Sequence, residues 1–595
     1  MKDFKRVFDS LEFQLLNYPN PAALAIKEQD GEKKIWRKYS TQECFDFVNR
    51  YSKALLSLGI RKGDKIGLIS NNRPEWIFLD FGIQQIGAIN VPVYPSITEN
   101  EFKFIFNDAG IKLCFVSDKE LYRKMSNIKN AIPSLQQIFC FDDIVETKAW
   151  VTHLSEVSNE DIKTIEKNKE TISENDLATI IYTSGTTGFP KGVMLTHKNL
   201  VSNVKAVHTV LDITPGDRSL SFLPLCHSFE RTVSNVFIAK GVSVFYAESL
   251  DTIGENLKEV HPHYFSTVPR LLEKVYEKIM QKAATLKGIK KVLFFWALDL
   301  GERYQENKDL GISYNFQLWL AKKLVFSKWE QALGGELKCI VTGAAAFQPR
   351  LAKIFAAAGI TILEGYGLTE TSPVLSLNQH NKQDRRIGTV GLPIPGVQIK
   401  FAADNEILAK GDNIMKGYYN RPDLTAEVID KEGWFHTGDI GEFIEDRFLK
   451  ITDRKKELFK TSGGKYVAPQ PIENKFKESR YIEQIMLIGN DKKFVSALIV
   501  PSFLSISEWL TKKGVLNDSK KEITQNSEVN NFFNELTKEF NKEINKIEQV
   551  KKIVLLQDEW SVETGELTPT MKIKRKFILE KYKKEIENIY SENSI

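Results

Sequence analysis

The sequence predicts an α/β protein: parallel sheets covered by helices, then a β-rich stretch, then a further α/β segment. Three observations carry that expectation. Short apolar runs alternate with helix-period segments through roughly the first 450 residues, the pattern of buried strands joined by crossover helices. From about residue 388 the texture changes to short strands punctuated by Gly and Pro, as in a β-rich subdomain. After Asp453-Arg454-Lys455-Lys456 an α/β pattern resumes and runs to the end.

The elements follow in three series. In the first, 65–72 reads as a buried strand, 76–87 as a helix, 88–94 as a strand, 99–110 as a helix and 112–118 as a strand. The second comprises a strand at 178–185, a helix over 197–211, a strand at 219–225, a helix near 229–239 and a strand at 242–248. The third has a strand at 336–343, a helix over 349–359 and a strand at 360–367. Ligands on such sheets gather beyond the carboxyl ends of strands. Near the C-terminus, Phe533, Leu536, Phe540, Ile544 and Ile547 recur at spacings of 3, 4, 4 and 3. That stripe predicts an amphipathic helix docked on its own domain.

Composition narrows the class without naming a function. The 595 residues allow about four domain-sized units. Charged residues make up 27%, hydrophobic ones 42% and aromatics 11%, which excludes disordered, collagenous and disulfide-scaffold classes. A net charge of +5, with both signs interspersed, gives no concentrated basic face for nucleic acid. Cys44, Cys114, Cys140, Cys226 and Cys339 lie far apart with no C-x-x-C pair. That argues against a disulfide framework or structural zinc and for a reducing, cytoplasmic setting. The N-terminus lacks the apolar core of a signal peptide, and no stretch of about 18 uncharged apolar residues is present to span a bilayer.

The sharpest local signal follows the strand at 178. Thr183-Ser184-Gly185-Thr186-Thr187-Gly188-Phe189-Pro190-Lys191-Gly192 is a loop of glycines and hydroxyls ending in a lysine. Glycine lets backbone N–H groups approach an anion with no Cβ in the way, so phosphate is the natural guest. The loop lacks the G-x-x-x-x-G-K-[ST] spacing of a Walker A motif, which excludes a phosphate-loop motor or GTPase. No G-x-G-x-x-G follows a strand.

The run YTSGTTGFPKGVMLTHKN resembles the phosphate-loop signature of the adenylate-forming (AMP-binding) superfamily. EGYGLTETSP (364–373), GWFHTGDIG (433–441), DRKKELFKTSGGKYVAPQPIE (453–473) and TPTMKIKRK (568–576) follow in that superfamily's order. The resemblance spans about residues 20 to 580. It implies a large N-terminal domain, 1–453, of two parallel α/β sheets plus a β-rich subdomain, and a small mobile α+β C-terminal domain, 454–595. The implied reaction joins a carboxylate to ATP as an acyl-adenylate, releasing pyrophosphate, and then lets a thiol attack the adenylate. Neutralising charge between two anions is its central physical problem.

Residue by residue, the resemblance assigns the 183–191 loop and Lys191 to the β- and γ-phosphates. Thr186 and Glu370 fall to Mg2+ and Thr369 to the α-phosphate; a hard cation bridging phosphate oxygens suits this chemistry. Tyr366, within Glu364-Gly365-Tyr366-Gly367, would stack on adenine beside a wall formed by Gly343-Ala344-Ala345. Asp439 would bind the ribose hydroxyls, and Arg454 the ribose or a phosphate. Lys572 matches the C-terminal lysine that reaches the carboxylate and α-phosphate. The chain has Thr570-Met571-Lys572-Ile573-Lys574 where many relatives have Ser-Gly-Lys, and register favours Lys572 over Lys574. Lys456 is the implied hinge, and Gly463-Gly464 would line the pantetheine tunnel of CoA.

The acid is read from two further segments. By the same resemblance PLCHSFERT (224–232) would put His227, where the family has an aromatic or histidine, beside the carboxylate and acyl entrance, with helix capping as the alternative; Arg231 would add charge nearby and is assigned no role. The segment 286–329 is rich in aromatics and bordered by lysines. It reads either as a core helix pair or as a basic amphipathic surface touching the inner face of a membrane. Together with TPTMKIKRK, this texture resembles the long-chain fatty acid–CoA ligases, implying fatty acid, ATP and CoA as substrates. The rivals are a ligase that loads acyl carrier protein or activates a medium-chain or aryl acid, and an inactive acyl- or nucleotide-binding homologue. Dimers occur among long-chain relatives, but no homodimer interface can be named from this sequence.

Overall fold

The computed structural model describes residues 3–183, 190–514, 519–546, 548–568 and 571–591. Ser184, Gly185, Thr186, Thr187 and Gly188 of the phosphate loop lie outside the described residues, as do Ile547 and Thr570.

Every strand and helix expected in the three series forms, within a few residues of its expected bounds. The segments at 65–69, 89–92, 113–116 and 177–183 make the parallel centre of a seven-stranded sheet. Those at 218–221, 243–246, 339–342 and 362–367 belong to a nine-stranded sheet whose interior is likewise parallel. Both sheets end in antiparallel edges, at 191–196 and 417–418 in one and 33–39, 374–377 and 392–393 in the other. Strand-to-helix transitions carry the expected chemistry. Thr98 caps the helix Glu99–Ala109, with Glu101 reaching back to close a capping box, and Thr196 does the same for His197–Val210.

The helices on the inner faces of the two sheets meet at a buried ion pair. Arg231, on Ser228–Ala239, donates from Nη2 and Nε to Asp80 on Pro74–Gln84 at 2.6 and 3.1 Å, and both side chains are at most 1% exposed. Asp80 also accepts from Gln84 and Asn90. A charge so enclosed is tolerable only when paired. Arg231 thus ties the helix Ser228–Ala239 to the helix Pro74–Gln84 through Nε and Nη2.

The β-rich stretch forms a four-stranded antiparallel sheet from 398–401, 406–410, 435–444 and 448–454. A C-terminal α+β domain follows, in which 482–488, 495–501 and 550–555 form a three-stranded sheet. The predicted stripe lies on the helix Ser527–Asn541 and in the turn after it. Phe533 is fully buried, and Leu536, Phe540 and Ile544 pack beside it against Ile485 and Ile499 of that sheet. The helix thus docks on its own domain. The five cysteines are buried and unpaired. Among the described residues no helix is long and apolar enough to cross a membrane.

Candidate active site

Three sheets converge at one place. Strand 362–367 of the nine-stranded sheet ends in the turn Thr369–Thr371. Strand 417–418 flanks 191–196 at the edge of the seven-stranded sheet. Asp439 and Arg454 face each other as register partners in the four-stranded sheet.

The Tyr366 hydroxyl donates to Asp439 Oδ2 at 2.7 Å, and Arg454 Nε donates to Asp439 Oδ1 at 2.9 Å. Asp439 is buried, and the Arg454 side chain remains 42% exposed. The carboxylate opposite it holds the guanidinium firmly charged. Gly367 cannot carry a side chain, because a Cβ there would lie 1.8 Å from the Pro373 carbonyl oxygen. Strand 339–342 runs parallel to 362–367, with Thr342 opposite Glu364, which sets Gly343 and Ala344 beside Gly365. Ala345 is exposed beyond them. Glu364 accepts the Phe347 N–H at 3.1 Å, and burial pushes its carboxyl up to about 8.

Glu370 and Lys191 are linked by a residue that the motif reading passed over. The Tyr418 hydroxyl donates to Glu370 Oε1 at 2.9 Å, while Lys191 Nζ sits 5.0 Å from the centre of the Tyr418 ring. Burial and the neighbouring Lys456 lower the Lys191 ammonium, with Glu370 opposing them. Thr183 and Lys191 are register partners, so the phosphate loop springs from adjacent points on two antiparallel strands. Thr369 Oγ1 lies 3.4 Å from Ser228 Oγ. The Tyr418 signal was present as Gly417-Tyr418-Tyr419, but no spacing rule marks an edge-strand tyrosine as a site residue.

Lys572 comes from the C-terminal domain into this cluster. Burial, together with the charge of Arg454, lowers its ammonium to about 8, opposed by Asp439 and Glu370. Lys574 is exposed, with its backbone N–H donated to the Glu566 carbonyl. Arg575 of the same motif anchors the segment through Glu457 and Glu473 at 3.0 and 2.6 Å. His227 does two things at once. Its Nδ1 accepts the Phe229 N–H at 3.1 Å and caps the helix Ser228–Ala239. That leaves Nε2 as the N–H donor of the neutral ring. Burial and nearby Lys572 lower its pKa to about 4, so the ring is uncharged at neutral pH.

Two further expected participants lie at exposed turns. Lys456 occupies an exposed turn in which the N–H groups of Glu457 and Leu458 both donate to the Arg454 carbonyl. Gly463 and Gly464 lie at the exposed tip of the hairpin formed by 459–460 and 466–467. The oxygen donors of Glu370 and Thr369 suit a hard cation. Among the described residues no three His, Cys, Asp or Glu side chains gather to hold a metal alone. A cation here would have to share phosphate oxygens.

The AMP-binding enzyme family matches residues 12–419, and the AMP-binding enzyme C-terminal domain matches 457–594. The chain is 33% identical over 571 residues to the long-chain-fatty-acid–CoA ligase FadD15 of Mycobacterium bovis, covering 94% of this chain and 93% of that one. It is 34% identical to human long-chain-fatty-acid–CoA ligase 1, covering 91% and 82%. In fold it is similar to the Mycobacterium tuberculosis fatty acyl CoA synthetase, with a TM-score of 0.62, 20% identity and coverage of 97% and 98%.

Proposed function

The chain belongs to the AMP-binding enzyme family, and we propose that it is a long-chain fatty acid–CoA ligase. ATP and a fatty acid give acyl-AMP and pyrophosphate; the CoA thiol then attacks the acyl carbon, forming the thioester and releasing AMP. The observation that carries the reading is the convergence of Lys572, Arg454 and His227, cations and a donor, with the carboxylates Asp439 and Glu370, at one place where two anions would meet.

In this reading Asp439 accepts the ribose hydroxyls while Tyr366 fixes its second oxygen. Lys191 and the loop beyond Thr183 hold the outer phosphates. Lys572 brings its positive charge to the fatty carboxylate and α-phosphate, and His227 donates from Nε2 to the same carboxylate. Glu370, with Thr186, would hold Mg2+, which when bound offsets the phosphate charge, and Thr369 would contact the α-phosphate. Tyr418 orients Glu370 for that task. We assign the division between a large domain, 1–453, and a mobile domain, 454–595, to the turn at Lys456, because its exposed backbone can absorb a rotation.

The test is pyrophosphate release across straight-chain acids of graded length, with CoA as acceptor. Release rising steeply from C8 to C16, together with acyl-CoA product, supports the reading. Release only with aryl or short acids would overturn the long-chain assignment. Acyl transfer to carrier protein but not to CoA would overturn the acceptor.

A further inference from the structure

Past the turn at Lys456, one ion pair joins the C-terminal domain to the large domain among the described residues: Glu483 with Arg270. Arg270 lies in the first turn of the helix Pro269–Ala284, and Glu483 belongs to the strand Ile482–Ile488. Arg270 Nη2 donates to Glu483 Oε1, and the two side chains are only 12% and 10% exposed. Each partner is aimed by its own element. The register of 482–488 against 495–501 shifts between Ile482 and Gln484, so Glu483 is an extra residue in the ladder. A bulge of this kind re-aims a side chain. Ile482 and Gln484 stay buried, while Glu483 crosses to the other domain. On the helix, Glu273 and Glu277 follow on the same face and accept from Arg270 Nη1 at 3.3 and 3.4 Å. Glu273 also accepts from Gln348 Nε2 at 3.0 Å.

Burial works against the Arg270 guanidinium, but Glu483, Glu273 and Glu277 outweigh it and keep it charged. Burial, with Glu483 opposite, pushes the Glu277 carboxyl up. One turn along the helix, Lys274 faces the C-terminal domain as well: the Ser561 hydroxyl, and then Lys274, hold the Glu563 carboxyl low. An enclosed guanidinium–carboxylate pair selects a geometry more than it adds stability, since its attraction is full only where the two groups meet. The geometry selected here reaches Lys572. Met486 and Ile488, on the strand that carries Glu483, share a core with Leu567, and Met571 and Ile573 on either side of Lys572 pack against that core. Holding the strand therefore holds the segment that carries the lysine.

We propose that Arg270 is a positioning residue for adenylation: by capturing Glu483 it holds the C-terminal domain in the orientation that presents Lys572 to the fatty carboxylate and α-phosphate. Its action passes through Glu483 and the core behind it. Release of the pair frees the domain to turn for the thioester step. What that orientation accomplishes rests on the ligase reading; the capture itself needs no substrate.

The experiment reads orientation and chemistry on the full chain. The five native cysteines are buried, so dyes are attached through Leu250→Cys and Asn534→Cys, exposed positions on either domain. Single-molecule energy transfer between them counts domain orientations without nucleotide. The share of molecules in a second orientation should rise about tenfold in Arg270→Glu and in Glu483→Gln, and fall back in Arg270→Glu/Glu483→Arg, where the charges are exchanged. Adenylation should fall about tenfold in both single variants and recover in the exchange, with thioester formation from supplied acyl-adenylate kept. Melting shows which variants are folded; should Arg270→Glu fail, Glu483→Gln, which removes only the charge, decides. Unchanged orientations in the folded single variants, or no recovery in the exchanged pair, overturn the proposal. A wild-type chain that releases no pyrophosphate with any acid strikes the ligase reading instead, and the orientation counts still decide whether Arg270 holds the domain.

Discussion

The cluster around Asp439 and the hairpin at 459–467 were both expected to serve one active site, yet they are in opposite conditions. Around Asp439, side chains from three sheets are joined by bonds of 2.7–2.9 Å, and Lys572 of the C-terminal domain lies within electrostatic reach of them. At the hairpin, Gly463 and Gly464 are exposed. In the proposed reading the two half-reactions account for the difference. Charge neutralisation during adenylation would need Lys572 in place, and a domain turned to deliver Lys572 would turn its other face away. One conformation can complete only one of the two sites.

That contrast can be strained at several points. Glu370→Gln removes the carboxylate that Tyr418 orients, and adenylation should fall by about 10²-fold or more, the scale seen when one charge-stabilising group is lost. Transfer from supplied acyl-adenylate should change far less; equal losses in both steps would show that Glu370 acts through folding. The pH response comes next in size. Lys572 works as a cation, and its folded value of about 8 lies below that of a free lysine. Its charge is therefore present below about pH 8 and lost above it. kcat/KM for adenylation should fall toward tenfold per unit above that pH, with no such limb in thioester formation from acyl-adenylate. A limb shared by both steps would assign it elsewhere. The smallest effect is that of Tyr366→Phe. It deletes one hydrogen bond to a charged group, about 1.5 kcal/mol, so KM for ATP should rise about tenfold with kcat held. Loss of kcat instead would give Tyr366 a part in the chemistry.

Much of this was legible in the sequence because apolar alternation and turn chemistry are local. The strands at 65, 178 and 339 and the helices between them could be read directly from that alternation. The motif residues were legible because each belongs to a short contiguous run at or near the end of a strand or in the turn beside it. Two kinds of information were not. Antiparallel edges such as 417–418, which pairs with Met194 and Val193, depend on pairing across the chain, which no local period encodes. Tyr418 reaches Glu370 from 48 residues away, and Arg231 is claimed by Asp80 from 151 residues away. Both pairings exist only after the sheets stack. The segment 286–329 shows the same limit from another side. Its aromatics read equally as core or as surface, and the fold divides them between the two.

The most direct test of a single domain serving two steps measures both half-reactions on a pair of variants. Gly463 suits the second site, because a Cβ there meets only Thr461 Oγ1 at 3.9 Å, whereas Gly464 has a φ of +79° that strains any side chain. ATP–pyrophosphate exchange and thioester formation from supplied acyl-adenylate are followed for Lys572→Ala and Gly463→Val. The account predicts opposite defects: exchange lost and transfer kept in Lys572→Ala, exchange kept and transfer slowed in Gly463→Val. Parallel losses in both steps, in either folded variant, would contradict it.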